Sequence, residues 1–194
     1  MEVQLFLAAM HPDQIAPADA DSHFAVIGSG PLSSTSALIP FIQRHPHVIA
    51  VDGGLNHLHQ MKVAPELIIG DFDSLNKELL AKYTSVEQKK FPCDKDASDM
   101  QLGIEEAFKR GARKVTLYGA LGGRTDHLLG NLMLLRIRPG AVFIESEQEV
   151  LFAVEGSTTL ALKPGQTISF FALGEKAEKV TTKGFKWDVT NATI

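Results

Sequence analysis

Short apolar runs alternate with helix-periodic stretches over the first two thirds of this 194-residue chain, and each run ends on glycine or aspartate. Phe24–Ile27 leads into Gly28-Ser29-Gly30, and His47–Val51 into Asp52-Gly53-Gly54. Leu67–Ile69 leads into Gly70-Asp71, and Lys114–Leu117 into the loop Gly119–Arg124. A wholly apolar run such as Leu67-Ile68-Ile69 suits a strand buried on both faces, in a parallel sheet covered by helices. Ser33–Arg44 is expected to be a helix in spite of Pro40, which costs it a hydrogen bond. In Asp99–Arg110, Met100, Ile104, Ala107 and Phe108 share one face. Ser98 with Gln101 fits a capping box, and Gly111 a C-cap. Leu128, Leu129, Leu132 and Leu135 mark a further helix behind Asp126. This alternation predicts an α/β fold, with a doubly wound, mostly parallel sheet domain over residues 1–138.

After Pro139-Gly140 the pattern changes. Ala141–Ile144, Glu149–Val154, Thr158–Leu162, Gln166–Phe171 and Lys179–Thr182 are β-rich, with no helical stretch between them. Leu160 and Leu162 alternate with polar or small residues, and Lys163-Pro164-Gly165-Gln166 is a turn signal. Residues 139–194 are expected to form a small antiparallel β-sandwich domain. It looks incomplete, because Trp187–Ile194 is strand-like with nothing after it to pair. Met1–Ala9 reads as an edge strand or ordered arm and His11–Ser22 as a loop.

The net charge of −4 gives no bulk electrostatic case for nucleic acid. No apolar run is long enough to span a bilayer. The single cysteine, Cys93, excludes an internal disulfide and any cysteine-rich zinc site, and agrees with a reducing, cytoplasmic setting.

Four acidic or glycine-rich clusters carry the chemistry: Asp52-Gly53-Gly54; Gly70-Asp71-Phe72-Asp73-Ser74; Asp94-Lys95-Asp96-Ala97-Ser98-Asp99; and Gly122-Gly123-Arg124-Thr125-Asp126-His127. In an open α/β sheet such positions gather outside the carboxyl ends of the strands. Carboxylates collected there repel one another unless a cation neutralises them, and a hard divalent ion shared with polyphosphate oxygens does so. Asp71 and Asp73, two apart in extended chain, face one ligand and suit Mg²⁺. The bland alternative is an Asx-turn with Ser74 capping a helix. Asp96 and Asp99 at a helix start are as well explained by capping as by function. Gly53 and Gly54 would let backbone approach a phosphate or base closely. Gly122-Gly123-Arg124 before a helix N-terminus makes a phosphate-binding corner, although Asp126 also reads as a cap and His127 as an exposed first-turn residue. Neither a dinucleotide fingerprint nor a Walker A sequence is present.

At these clusters, with Asn56 and Asn131, the chain resembles the thiamin pyrophosphokinase family in order, spacing and identity, from about Phe24 to Thr193. The resemblance implies a catalytic α/β domain, a β-sandwich domain contributing to the thiamin site and to dimerisation, and a homodimer. It implies transfer of the pyrophosphoryl unit of ATP, with Mg²⁺, to the hydroxyl of thiamin, giving thiamin diphosphate and AMP. By position it places Asp71, Asp73 and Asp99 at Mg²⁺, with Asp96 beside them as a fourth catalytic carboxylate. Lys95 would touch phosphate or substrate. Asp52, Gly53, Gly54, Asn56, Gly123, Arg124, Asp126 and His127 fall on the nucleotide side. Asp71 or Asp99 is then the candidate base for the hydroxyl proton. Trp187 is a candidate to stack on the thiazolium, or else a core tryptophan. Family members continue into a Ser-Asn segment of the thiamin pocket where this sequence ends at Ile194. Two readings stay open there, a chain cut short and a chain with an altered pocket.

Two other functions compete. A different Mg-dependent phosphotransfer enzyme, such as an aspartyl-nucleophile phosphatase, would form a phosphoaspartate. Its aspartate pair would sit on the first strand rather than about the third. A sensor of nucleotide or thiamin would bind without releasing AMP, and has little need for so many converging carboxylates.

Overall fold

A computed structural model describes residues 5–8, 20–73, 75–94 and 96–194. Among these the strands form one nine-stranded sheet. In chain order they are β1 (Leu5–Ala8), β2 (His23–Ile27), β3 (His47–Val51), β4 (Leu67–Gly70), β5 (Glu87–Lys90), β6 (Lys114–Tyr118), β7 (Val142–Glu145), β8 (Val150–Val154) and β9 (Ser169–Ala172). The helices are α1 (Thr35–Gln43), α2 (Gly54–Met61), α3 (Lys77–Leu80), α4 (Asp99–Lys109) and α5 (Thr125–Leu134). Across the sheet the order is β5-β4-β3-β2-β6-β7-β8-β1-β9. From β5 to β7 the neighbours are parallel. The antiparallel part follows directly, with β8 on β7, β1 on β8 and β9 on β1.

Successive residues of the central strands point to opposite faces, and helices cover both. Phe24 and Val26 pack with Met100, Ile104 and Ala107 of α4, while Ala25 and Ile27 pack with Leu38 and Ile42 of α1 and Leu55 and Leu58 of α2. The fold is therefore α/β, mostly parallel and doubly wound, as the alternation predicts. Ser98 caps α4 by accepting from Gln101 N at 3.2 Å. The other half of the expected box is replaced, because the Gln101 side chain donates to Glu105 instead. Gly111 follows at φ +97°. Helix α1 runs through Pro40, capped by Ser34.

Three local expectations change. The segment 158–162 carries no ladder, yet Leu160 and Leu162 still pack on Phe143, Val150 and Phe152. The alternation reported a buried face, and the missing element is a strand partner. Trp187–Ile194 does find a partner: Val180 and Ala192 exchange hydrogen bonds at 2.9 Å, as do Ala177 and Ile194 at 2.7 and 2.9 Å. Leu5–Ala8 lies between β8 and β9 rather than at an edge. The rest of the N-terminal arm, the loop from His11 to Asp19, and Ser74 and Lys95 lie outside the described residues.

A polar chain, buried except at Arg44, ties the end of α1 to β2, β6 and β7. Arg44 Nη2 donates to both oxygens of Glu145 at 2.5 Å, and the Tyr118 hydroxyl donates to Glu145 at 2.6 Å. That hydroxyl then accepts from His45 Nε2 at 3.0 Å, which places a ring proton on Nε2. His23 meets Thr116 at 2.8 Å and stands edge-on to His45. Burial, then the nearby Lys114 and Arg44, pushes His23 down to about 4. Burial, with His23 and Arg44, pushes His45 down to about 3. The unfolded histidines titrate near 6.5, so below that pH the unfolded chain holds more protons and stability falls. Each histidine contributes a slope of about 1.4 kcal/mol per pH unit between the unfolded and folded values. Urea midpoints are therefore expected to drop between pH 7 and pH 5. Equal midpoints at the two pH values would show that the histidines are not held neutral.

Candidate functional site

Chain direction across the sheet reverses between β2 and β6. From β2 the chain crosses through α1 to β3 on one side, and from β6 through α5 to β7 on the other. The crevice beyond the carboxyl ends of two such strands is where open α/β sheets place ligands. Gly28 N donates to Tyr118 O at 2.8 Å and Gly30 N to Gly119 O at 2.9 Å, closing the floor of that crevice. A Cβ on Gly30 would lie 2.4 Å from Gly119 O, so only glycine permits this seam. Above it opens a cleft of about 820 Å³.

One wall is acidic. Asp52, in the left-handed region at φ 43°, follows β3; its Oδ1 accepts from Phe72 N at 3.2 Å. Gly70 makes room for it, since a Cβ there would lie 1.8 Å from that oxygen. Asp71 follows β4, and its carboxylate accepts from Asp73 N at 3.0 Å. Asp99 opens α4. Burial pushes Asp52 up to about 7, opposed by the Phe72 N–H and reinforced by Asp99 and Asp71, with Asp99 within hydrogen-bonding reach. Carboxylates this close either share a proton or require a cation between them. The facing wall is the corner Gly122-Gly123-Arg124, both glycines at positive φ, running into α5. Arg124 grips Asp126 through two bonds, at 3.1 and 2.5 Å, which holds the Asp126 carboxyl well below the usual range. His127 lies beside them, exposed, and its N–H also donates to Asp126. Asn131 lines the same wall and is anchored on Ala120 O at 2.8 Å.

The sequence-derived residues thus divide. Asp52, Asp71, Asp99, Gly123, Arg124, Asp126 and His127 line one cleft. Asp73 is exposed at its rim, with a carboxylate oxygen within 4.8 Å of one from Asp71. Asp96 is exposed ahead of α4 and is not part of the lining. Lys95 lies outside the described residues. Gly53 and Gly54 face β2 instead: Cβ atoms there would lie 2.9 Å from the Ser29 side chain and 1.9 Å from Ile27 O. Asn56 sits in the first turn of α2, its N–H bonded to Gly53 O. Trp187 is 78% exposed, away from the lining, with Lys186 Nζ 4.4 Å over its ring. Ser29, Cys93 and Gln101 also line the cleft and escaped the sequence reading. The position of Ser29 after a buried strand was the available signal for it.

Mg²⁺ fits this donor set. Asp71 and Asp73 offer hard oxygen ligands on an open rim where water and phosphate oxygens can complete an octahedron.

Comparison with known proteins points to one family. Residues 40–141 match the family model "Thiamin pyrophosphokinase, catalytic domain", and residues 157–194 match "Thiamin pyrophosphokinase, vitamin B1 binding domain". The thiamine pyrophosphokinase of Bacillus subtilis is 25% identical over 180 residues, covering 87% of this chain and 82% of the relative. Thiamine pyrophosphokinase 1 of Arabidopsis thaliana is 24% identical, covering 80% of this chain and 69% of the relative. A solved thiamin pyrophosphokinase from Geobacillus thermodenitrificans superposes with a TM-score of 0.68 at 28% identity, over 89% of this chain and 82% of that one. The B. subtilis structure reaches a TM-score of 0.78 at 24% identity, over 89% of this chain and 84% of that one, which speaks to fold. With more than half its length matched by the catalytic-domain model, and that match spanning Asp52, Asp71, Asp99 and Arg124, the chain belongs to the thiamin pyrophosphokinase family.

Proposed function

We propose that this protein transfers the pyrophosphoryl unit of ATP to the hydroxyl of thiamin, releasing thiamin diphosphate and AMP. The observation that carries this reading is the single cleft in which Asp52, Asp71 and Asp99 face the Gly122–Arg124 corner. Such transfer needs positioning and charge neutralisation more than covalent help. When bound, Mg²⁺ supplies charge neutralisation on the phosphate oxygens, held by Asp71, Asp73 and Asp99. Arg124, presented by flexible backbone, orients the phosphates, while α5 turns its N-terminus toward them. Asp71 or Asp99 accepts the hydroxyl proton of thiamin. Asp96 and Lys95 are assigned to the phosphate side by their place in the motif, and Asn56, Gly53 and Gly54 to shaping the nucleotide wall. Arg124→Ala is expected to raise KM for ATP by about tenfold or more, because a planar bidentate donor is lost. Steady-state AMP release against ATP concentration measures it.

We assign 1–138 to the catalytic unit and 139–194 to a unit serving the thiamin site and dimerisation. The two separate family matches support that division. Trp187 is a thiamin-stacking candidate whose ring face Lys186 now occupies. A homodimer is carried over as what the family resemblance implies. A cytoplasmic setting is supported by the single cysteine, carried exposed. No helix among the described residues is long and apolar enough to cross a membrane.

The test is an AMP-release assay with ATP, Mg²⁺ and thiamin, beside assays offering a pterin or another hydroxymethyl acceptor. AMP and thiamin diphosphate in equal amounts are expected. Turnover only with another acceptor, or a phosphoaspartate on the chain, would overturn the reading.

A further inference from the structure

Cys93 is the one cysteine of the chain, and it lies just past β5. Strand β5 pairs in parallel with β4, Gly70 opposite Lys90. Asp73 and Cys93 each stand three residues beyond this last paired position, in the two loops that leave the same end of the sheet. The Cys93 sulfur and one carboxylate oxygen each from Asp71 and Asp73 lie within 4.8 Å of one another. Cys93 and Asp71 both line the cleft.

A sulfur at this position changes the chemistry of a rim otherwise made of hard oxygens. Mg²⁺ takes oxygen donors and gives up its waters reluctantly, so it gains little from a thiol. Thiophilic divalent ions bind thiolate, with Zn–S near 2.3 Å and Zn–O near 2.0–2.2 Å. Two donors on one tetrahedral ion at those lengths are about 3.6 Å apart, within a short side-chain rotation of the observed spacing.

We propose that Cys93 joins Asp71 and Asp73 as a third ligand, so that this cation position takes Zn²⁺ or Cd²⁺ in competition with Mg²⁺. The inference rests on the reading that Asp71 and Asp73 hold the catalytic cation. Binding displaces the thiol proton to solvent and changes no oxidation state. A thiophilic ion held this way blocks the Mg²⁺ position and so acts as an inhibitor.

The experiment is an ultraviolet titration of the full chain with Cd²⁺, read at the thiolate-to-cadmium charge-transfer band. With one sulfur-bearing cysteine in the chain, the band reports Cys93 alone. We expect saturation at one Cd²⁺ per chain, suppression by excess Mg²⁺, and weaker binding in Asp73→Asn. In Cys93→Ser the band is lost, and the Cd²⁺-to-Mg²⁺ affinity ratio falls by about tenfold or more. Absence of the band in the wild type overturns the inference. So does a band that Mg²⁺ does not suppress, a half-equivalent stoichiometry, or indifference to Asp73→Asn, since each describes a surface thiol alone. AMP release with Mg²⁺ but no band removes only this inference. A Mg²⁺-suppressed band with no AMP release removes the proposed reaction and leaves the cation site.

Discussion

Asp73→Asn is expected to lower AMP release from ATP, Mg²⁺ and thiamin by about 10²–10³-fold, the scale on which loss of one transition-state charge contact is felt. The change removes one anionic donor and keeps the side chain's shape. Asp73 is exposed, and its fixed role in the loop is played by its backbone N–H, which donates to Asp71 and survives the substitution. The unfolding free energy should therefore stay within the scatter typical of surface changes, about 0.5 kcal/mol, read from the thermal transition. Wild-type rates in Asp73→Asn would move the cation to the Asp52–Asp99 pair. A collapsed melting transition would make the residue structural.

Gly54→Ala is expected to destabilise the protein by about 3 kcal/mol, although alanine is the better helix former by about 1 kcal/mol. Gly54 opens α2 and is buried. A Cβ there would lie 1.9 Å from the carbonyl oxygen of Ile27 and 2.6 Å from its carbon. Those are backbone atoms at the end of a strand held on both sides by β3 and β6, so they cannot give way cheaply. The collision outweighs the helix preference, and urea unfolding measures the difference. An unchanged or raised midpoint would mean that α2 does not approach β2 as closely as the structure has it. Because Asp52 sits two residues earlier, loss of activity in this variant is expected to accompany loss of fold.

Strands β2, β3 and β4 were legible because they are buried on both faces and so read as nearly unbroken apolar runs, and β6 because Val115 and Leu117 flank a β-branched Thr116. Strand β5, Glu87-Gln88-Lys89-Lys90, was not. It is a sheet edge, and edges are protected by charge rather than apolar side chains. Its partners are ions on other elements: Lys89 with Glu106 at 2.5 Å and Glu87 with Arg110 at 2.7 Å. Helix α2 was hidden by its polar Asn, His and Gln positions, which dilute a short apolar stripe of Leu55, Leu58 and Met61. In the site, Asp71 and Asp73 stood out because carboxylates right after the buried β4 lack a packing explanation, whereas Asp99 read equally well as a helix cap and Arg124 stood out through the glycines before it. Cys93 carried no such signal, since it follows β5, the strand that could not be seen.

The sequence alone determined that helices must cover both faces of a buried sheet and that carboxylates must crowd the carboxyl ends of its strands. Both follow from local periodicity and from which residues tolerate burial. It also held enough spacing information for the family to be recognised. Tertiary structure decided the rest. Strand order set the β2/β6 crevice as the cleft, and the pairing of β4 with β5 brought the loops of Asp73 and Cys93 together. Close packing turned Gly54 into a contact with Ile27 and Gly70 into room for Asp52. Those outcomes depend on partners far along the chain, and a residue's own neighbours in sequence carry no record of which distant strand it will meet.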